Sequence, residues 1–376
     1  MDFVRYSPEI ETFDPHLEEM LARVVDWWEQ KVRESPDAEG NGRAIRGAHA
    51  KSYGFVRADV EILDDLPTTY AQGIYAKPGR HGALIRFSSA SPHMGSDAQL
   101  GPPLGFAIKI FDIEGRKLVE DEPNSTTFDL VMKNTPFFIA NTANHYLFIQ
   151  EITNDLHKYL ARGRTGFHEL LTDFLTGKGT LEQPDWAWDE LFAFVRAATQ
   201  TPVSNPLLTP YWTMAAMRHG DYVAKVRVAP AADSATHAIH RELDLDSGPD
   251  VFGPALVDEL KARAFDFDLQ VQLCTDLDAM PVNDVTVEWP ETLSPFVTVG
   301  RVHLPKQDIS GPKNFENGDA LAFNQWRVTS DHRPLGEIME VRRIYAASAK
   351  VRRTLNHQPS REPTSADAVL AMPHGT

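Results

Sequence analysis

Two stretches of the chain set polar groups where they could act together. Arg46-Gly-Ala-His49-Ala-Lys51 stands just before a strand pattern, and Arg86-Phe87-Ser88 lies inside one. Side chains alternate along a strand, so Arg86 and Ser88 share one face while Ile85 and Phe87 share the other. Neutral imidazole can both take and return a proton near neutral pH, which makes His49 the candidate for acid/base work. A third stretch reads as a helix with Arg342, Tyr345 and Arg352 along one face, a phenol set between cations. Commoner signatures are missing. There is no Gly-x-Gly-x-x-Gly after a strand, no phosphate-binding Gly-Lys-Ser/Thr loop, no His-Glu-x-x-His and no Cys-x-x-Cys, which sets aside most nucleotide and structural zinc sites. His237 and His240, with Glu242, read as a solvated surface loop.

The elements that must hold these groups are short strands and a block of helices. Leu17, Met20, Leu21, Val24, Val25 and Trp28 form one apolar stripe on an otherwise charged helix that should lie on another surface. Ser35, Pro36, Asp37, Gly40 and Gly42 then read as a polar, flexible connector. Strand patterns follow at 55–63, 83–90, 105–111 and 127–132, with no crossover helix between them, which argues for an antiparallel meander. Helical spacing takes over at 141–200, and strands return at 211–217, 222–228, 265–273 and 296–304, the first two joined by a turn at His219-Gly220-Asp221. Two sets of four strands suit an α+β fold, an antiparallel β-barrel of about eight strands with helical insertions. Residues 305–332 show no periodicity, and Pro334 is expected to open the last helix.

The chain has 376 residues, 42% of them hydrophobic, the composition of a globular protein with a sizeable core. Against 37 Lys and Arg stand 53 Asp and Glu, and the resulting charge of −16 repels phosphate backbones, so nucleic acid is not an expected partner. No apolar run suits a membrane span. A single cysteine, Cys274, cannot form an internal disulfide, and residues 1–15 carry acidic groups with no apolar signal core, so a cytoplasmic location is expected.

Taken in order, Arg46-x-x-His49-Ala-Lys51, Arg86-Phe87-Ser88, Gly105-Phe106-Ala107-Ile108-Lys109, Asp129-Leu130-Val131 and Asn134-Thr135-Pro136 resemble the pattern of the haem catalases. The resemblance continues through Leu269-Gln270-Val271-Gln272, Trp289-Pro290, Val299-Gly300-Arg301 and Ala322-Phe323-Asn324 to Tyr345 and Arg352. It is strongest to the short, catalase-related haem proteins, which keep the barrel without the carboxy-terminal additions of larger catalases. It implies a haem b domain over 46–355, preceded by a helix and arm at 1–45 and followed by a disordered tail at 356–376.

By the same resemblance, His49 is the distal acid/base, Ser88 holds its ring, and Tyr345 is the proximal iron ligand. Arg46, Arg86 and Arg352 clamp the haem carboxylates, a task suited to guanidinium forks. Arg342 stands beside Tyr345, and Phe138 and Tyr146 lie against the porphyrin. Two departures are visible. The family's Asp-Leu-Val-Gly-Asn-Asn-Thr-Pro reads here Asp129-Leu-Val-Met-Lys133-Asn134-Thr135-Pro136, so an ungapped match puts Lys133 at the distal amide. Shorter relatives carry a single Asn close before the Pro, and on that ground the distal amide is assigned to Asn134, in a loop one residue tighter. The ligand's arginine, four residues before Tyr in catalases, is Val341 here, with Arg342 and Arg343 following.

The implied activity is hydroperoxide chemistry of catalase or peroxidase type. Its partners would be hydrogen peroxide or an organic hydroperoxide and a small-molecule reductant, and an oligomer of identical chains is compatible with it. Two other readings are an isomerase or lyase of fatty acid hydroperoxides, as in the catalase-related allene oxide synthases, and a non-catalytic haem-binding barrel. The residue before the distal His is Thr in those synthases and usually Val in catalases; Ala48 matches neither.

Overall fold

Alternation of inward apolar and outward polar residues produces nine antiparallel strands, β1 (Ser52–Ile62), β2 (Gly79–Ser89), β3 (Leu104–Ile110), β4 (Phe128–Lys133), β5 (Tyr211–Trp212), β6 (Met217–His219), β7 (Tyr222–Pro230), β8 (Phe265–Leu273) and β9 (Val297–Leu304). The computed structural model describes residues 2–40, 42–358 and 362–370. The strands run in the order β5-β4-β3-β2-β1-β9-β8-β7-β6, and β5 also pairs with β7. That second pairing closes eight strands into a barrel, with β6 hairpinned onto β7 through the expected turn. Phe87, Phe106, Tyr211 and Phe267 fill the interior in edge and tilted contacts, with ring centroids 5.1 to 6.1 Å apart.

Helices cover the outside. α1 (Leu17–Ala38) precedes the barrel and α2 (Asp97–Leu100) lies between β2 and β3. The expected helical insertion comprises α3 (Ala143–Asn154), α4 (Leu156–Leu160), α5 (Gly163–Thr176) and α6 (Trp188–Gln200). α7 (Ala232–Thr236) and α8 (Phe252–Ala262) follow, then α9 (Pro312–Ala320), α10 (Glu337–Val341), α11 (Ile344–Leu355) and α12 (Ala366–Leu370). No described helix is long and apolar enough to cross a membrane.

Three expectations need correction. The connector at Ser35 and Pro36 is helix, because α1 continues to Ala38: Pro36 has no N–H for the Val32 carbonyl, and the Ser35 hydroxyl donates to it instead at 2.8 Å. Residues 305–332 contain α9, a polar helix without an apolar stripe, docked by Asn314, whose amide brackets the Phe55 backbone. Pro334 does not open the last helix. Gly336 has φ +87°, in the left-handed region, so α10 starts at Glu337. The side chains of Trp326 and Gln325 then donate to the Met339 and Arg342 carbonyls, and the helix breaks between α10 and α11. Of the tail at 356–376, residues 359–361 and 371–376 lie outside the described residues, whereas Glu362 is buried and bonded to Arg353.

Two buried histidines at the barrel's end make the fold sensitive to acid. His219 donates from Nε2 to the Tyr70 carbonyl, His332 accepts from the Ile74 N–H, and both rings pack on Tyr75. Burial pushes the His219 imidazole down to about 4 and holds His332 well below its ordinary value. Above pH 6.5 both are neutral folded or unfolded, and stability is complete. Below it the unfolded chain gains protons that the fold refuses, so each histidine removes about 1.4 kcal/mol per pH unit. Thermal unfolding midpoints are therefore expected to fall steeply from pH 6.5 to 4.5, with a shallower fall in His219→Gln. A midpoint that is level over that range would contradict this account.

Candidate active site

The register of β2, β3 and β4 builds the floor of the site. Ser88 pairs with Gly105, and Gly105 with Lys133; one row along, Arg86 pairs with Ala107, and Ala107 with Val131. Directly paired residues share a face, so both rows look outward while Phe87, Phe106 and Met132 look into the barrel. His49, in the loop before β1, adopts φ +55° and lays its ring on the outward face. Gly105 makes room for it: a Cβ there would stand 2.3 Å from His49 Nδ1 and 2.7 Å from Ser88 Oγ.

The ring's orientation follows from its bonds. Nδ1 lies 2.8 Å from the Ser89 carbonyl, which only accepts, so Nδ1 carries the proton; Ser88 Oγ is 3.2 Å away on the same nitrogen. Nε2 is left as the basic lone pair. Burial, and then the charges of Lys133, Arg86 and Arg342, hold His49 down to about 3, so it stays neutral at any ordinary pH. Gly105→Ala is expected to expel the ring from this position, at a cost of about 1–3 kcal/mol for an overpacked site. Loss of the shielded His49 signals in a proton NMR spectrum, with the barrel retained by circular dichroism, would verify it; an unchanged ring would not.

Across the cavity stands α11. Tyr345, Ser348, Ala349 and Arg352 recur at helical spacing along one side of it and line, with His49, Arg86 and Ser88, a common cavity of about 700 Å³, counting its open mouth. Trp28 and Val32 of α1 close one flank, with Gly47 passing so near Trp28 that a Cβ would touch the indole. At one end three guanidinium groups gather. Arg46 reaches Asp319 at 2.6 Å, Arg352 donates to the Asp319 and Leu321 carbonyls, and Arg86 donates to the His49 and Ala50 carbonyls.

Electrostatics there are unbalanced. Burial would raise the Asp319 carboxyl, yet Arg46, Arg352 and Arg86 hold it at about 2. Burial and the neighbouring Arg46 push Arg352 down to about 9 and Arg86 well below its ordinary value. Buried Arg86 Nε has no hydrogen-bond partner among the described residues.

The cavity therefore unites Arg46, His49, Arg86, Ser88, Tyr345 and Arg352. Arg342 stands behind it, its guanidinium 5.5 Å from the Tyr345 ring centroid and 6.0 Å from that of Phe138. Phe138 stacks on Tyr146 at 6.3 Å, and burial and the adjacent Tyr345 keep the Tyr146 phenol protonated; both belong to the packing behind the cavity wall. Asn134 is placed apart from the site. Its Oδ1 accepts the Leu104 N–H at 2.7 Å and its Nδ2 donates to the Pro102 carbonyl at 3.1 Å, so the amide is used up tying β3 to the end of β4. The outward residue in that row is Lys133. Asp319 went unnoticed in the sequence because nothing in its polar segment marks one acid over another. Among the described residues, no group of three or more His, Cys, Asp or Glu could hold a bare metal ion.

Solved structures with this barrel and these outer helices include catalase A from Saccharomyces cerevisiae, at a TM-score of 0.63 and 19% identity over 88% of this chain and 66% of that one. The fold is that of the catalases. A fungal catalase matches at 0.55 with 17% identity over 84% of this chain and 60% of its own, and a bacterial catalase at 0.56 with 14% identity over 87% and 60%. The catalase-like chain thus spans about two-thirds or less of the length of these catalases. No family model and no curated protein matches its sequence.

Proposed function

We propose that the chain binds haem b in the cavity between His49 and Tyr345 and acts on hydroperoxides, as an oxidoreductase of catalase or peroxidase type in the cytoplasm. The observation that carries this reading is the arginine group. Arg46 and Arg352 share one carboxylate, Asp319, while the adjacent Arg86 reaches only backbone carbonyls and its buried Nε has no hydrogen-bond partner among the described residues. Burying an uncompensated charge costs several kcal/mol, so the group fits a ligand that brings carboxylates of its own. Haem does so with its two propionates. The α11 wall supplies a phenol, Tyr345, as the iron-holding oxygen, and the opposite wall supplies a neutral base.

Iron in the bound haem would supply the electrons that open the O–O bond. The chain's own part is proton handling: His49 Nε2 takes the proton from one peroxide oxygen and returns it to the other, while Nδ1–H, fixed on Ser89, keeps the ring from turning. Ser88 and the Gly105 backbone hold the ring flat on the sheet.

The test is titration of the haem-free chain with hemin, followed by addition of hydrogen peroxide. A one-to-one Soret spectrum and peroxide-dependent oxygen release, or oxidation of an added donor, are expected. A chain that takes up no hemin overturns the reading. One that takes it up and leaves both hydrogen peroxide and alkyl hydroperoxides unchanged would be the non-catalytic barrel.

A further inference from the structure

The end of α9 takes up the donors of two cavity arginines. Arg46 donates from Nη1 to the Asp319 carboxylate at 2.6 Å, and from Nη2 to the Asp319 and Leu321 carbonyls at 3.1 and 2.6 Å. Arg352 donates from Nη1 to the Asp319 carbonyl at 2.6 Å and from Nη2 to the Leu321 carbonyl at 3.0 Å. The neighbouring Arg353 reaches the Ala320 carbonyl at 3.1 Å. These are carbonyls that a helix leaves unpaired at its C-terminus, and guanidinium groups cap them. Arg46 and Arg352 both line the cavity, so any carboxylate bound there has to compete with α9 for the same nitrogens.

Little else holds α9. Over Pro312–Ala320 its apolar side chains are Pro312, Phe315 and Ala320. Asn314 accepts the Phe55 N–H at 3.1 Å and donates to the Phe55 carbonyl at 2.6 Å, and Gly318 lies so close on the Phe55 ring that a Cβ would overlap it. A short helix lying flush on Phe55 cannot withdraw Asp319 alone; it moves as a unit. Leu321, fully buried in a cluster with Phe55, Leu84 and Phe111, is the fixed end, and Ala322 and Phe323 just beyond it line the cavity. Moving α9 therefore exposes little apolar surface and breaks mainly polar contacts that water can replace.

We propose that α9 is a strap across the carboxylate end of the cavity, and that a porphyrin dicarboxylate seats by displacing Asp319 and swinging α9 off Phe55 about Leu321. The proposal rests on the cavity being a haem site. It adds an exchange on the chain's own side: two carboxylates replace one carboxylate and two carbonyls on the same guanidinium nitrogens. Carbonyls satisfy those donors but not their charge, so the exchange balances Arg46 and Arg352 better than Asp319 does alone. Apparent affinity is then reduced by the share of chains whose strap is closed, and a change that loosens the strap without touching an arginine raises it. No covalent bond is made or broken.

The probes are hemin and protoporphyrin IX, which carries the same two carboxylates without iron and so needs no ligand from Tyr345. Dissociation constants are read from tryptophan quenching in the full chain, in the parent, Asp319→Asn and Asn314→Ala, with thermal midpoints to verify folding. Hydrogen exchange of peptides covering 312–321 is followed with and without each porphyrin. Both variants should bind both porphyrins about fivefold or more tightly than the parent, because each loses contacts made only with the strap closed, and exchange over 312–321 should rise on binding. A tighter Asp319→Asn beside a parent-like or weaker Asn314→Ala would be charge repulsion alone and overturns the strap. Slower exchange of α9 on binding also overturns it, because the helix would then be part of the bound site. If parent and variants all take up neither porphyrin, the reading of the cavity as a haem site fails and the strap falls with it; uptake by the variants alone upholds both.

Discussion

Tyr345→Phe is expected to strip the chain of most of its haem after hemin loading and gel filtration, while the protein stays folded. In the proposed reading the phenol oxygen of Tyr345 holds the iron from the α11 wall, and its removal would leave the cofactor held by its carboxylates alone. The ring itself would remain, packed edge-on to Trp28 at 6.3 Å and beneath Arg342 at 5.5 Å, so the unfolding midpoint should move by no more than one lost hydrogen bond allows, about 1 kcal/mol. Haem-to-protein ratio and the visible spectrum are the readouts. Parent-like retention with an unshifted spectrum would move the ligand elsewhere.

His49→Ala should do the reverse, keeping haem and slowing reaction with peroxide by about two to four orders of magnitude, the usual worth of a positioned acid/base. Since His49 is held at about 3, the parent's rate constant should show no acid limb from this residue down to about pH 4. Stopped-flow rates across pH 4.5 to 7 test both statements. A variant within a few-fold of the parent would make His49 a structural histidine, and a parent whose rate falls with an apparent pKa near 6.5 would mean that its imidazole is solvated.

The barrel was legible because its strands obey the period of two: β8 matches the expected 265–273, and β9 starts one residue inside its expected range. Arg86 and Ser88 could be placed on one face by the same rule, and Tyr345 and Arg352 by the period of the helix. What escaped depends on partners distant in the chain. That Lys133 rather than Asn134 stands in the outward row of Ser88 and Gly105 follows from the pairing of Lys133 with Gly105, a register that local sequence does not contain. α9 has no apolar stripe, since it is held by Asn314 on the Phe55 backbone, and Asp319 travels with it. The end of α1 was obscured by Pro36, whose missing donor is replaced by the Ser35 hydroxyl.

The closing of the barrel fixes a timetable for the growing chain. β1 pairs with β9 across some 240 residues, and the two walls of the cavity, His49 and Tyr345, are separated by about 300. At roughly 5–20 residues per second of synthesis, the wall carrying the base, finished when β4 ends at Lys133, is complete about 10–40 s before Tyr345 leaves the ribosome. During that interval β1 has its β2 neighbour but an open edge toward β9, and the arginines of the two ends have not met. A cofactor can be clasped only after α11 arrives, so haem supply should limit the yield of loaded protein late in translation, and chains cut short before α11 should be recovered colourless.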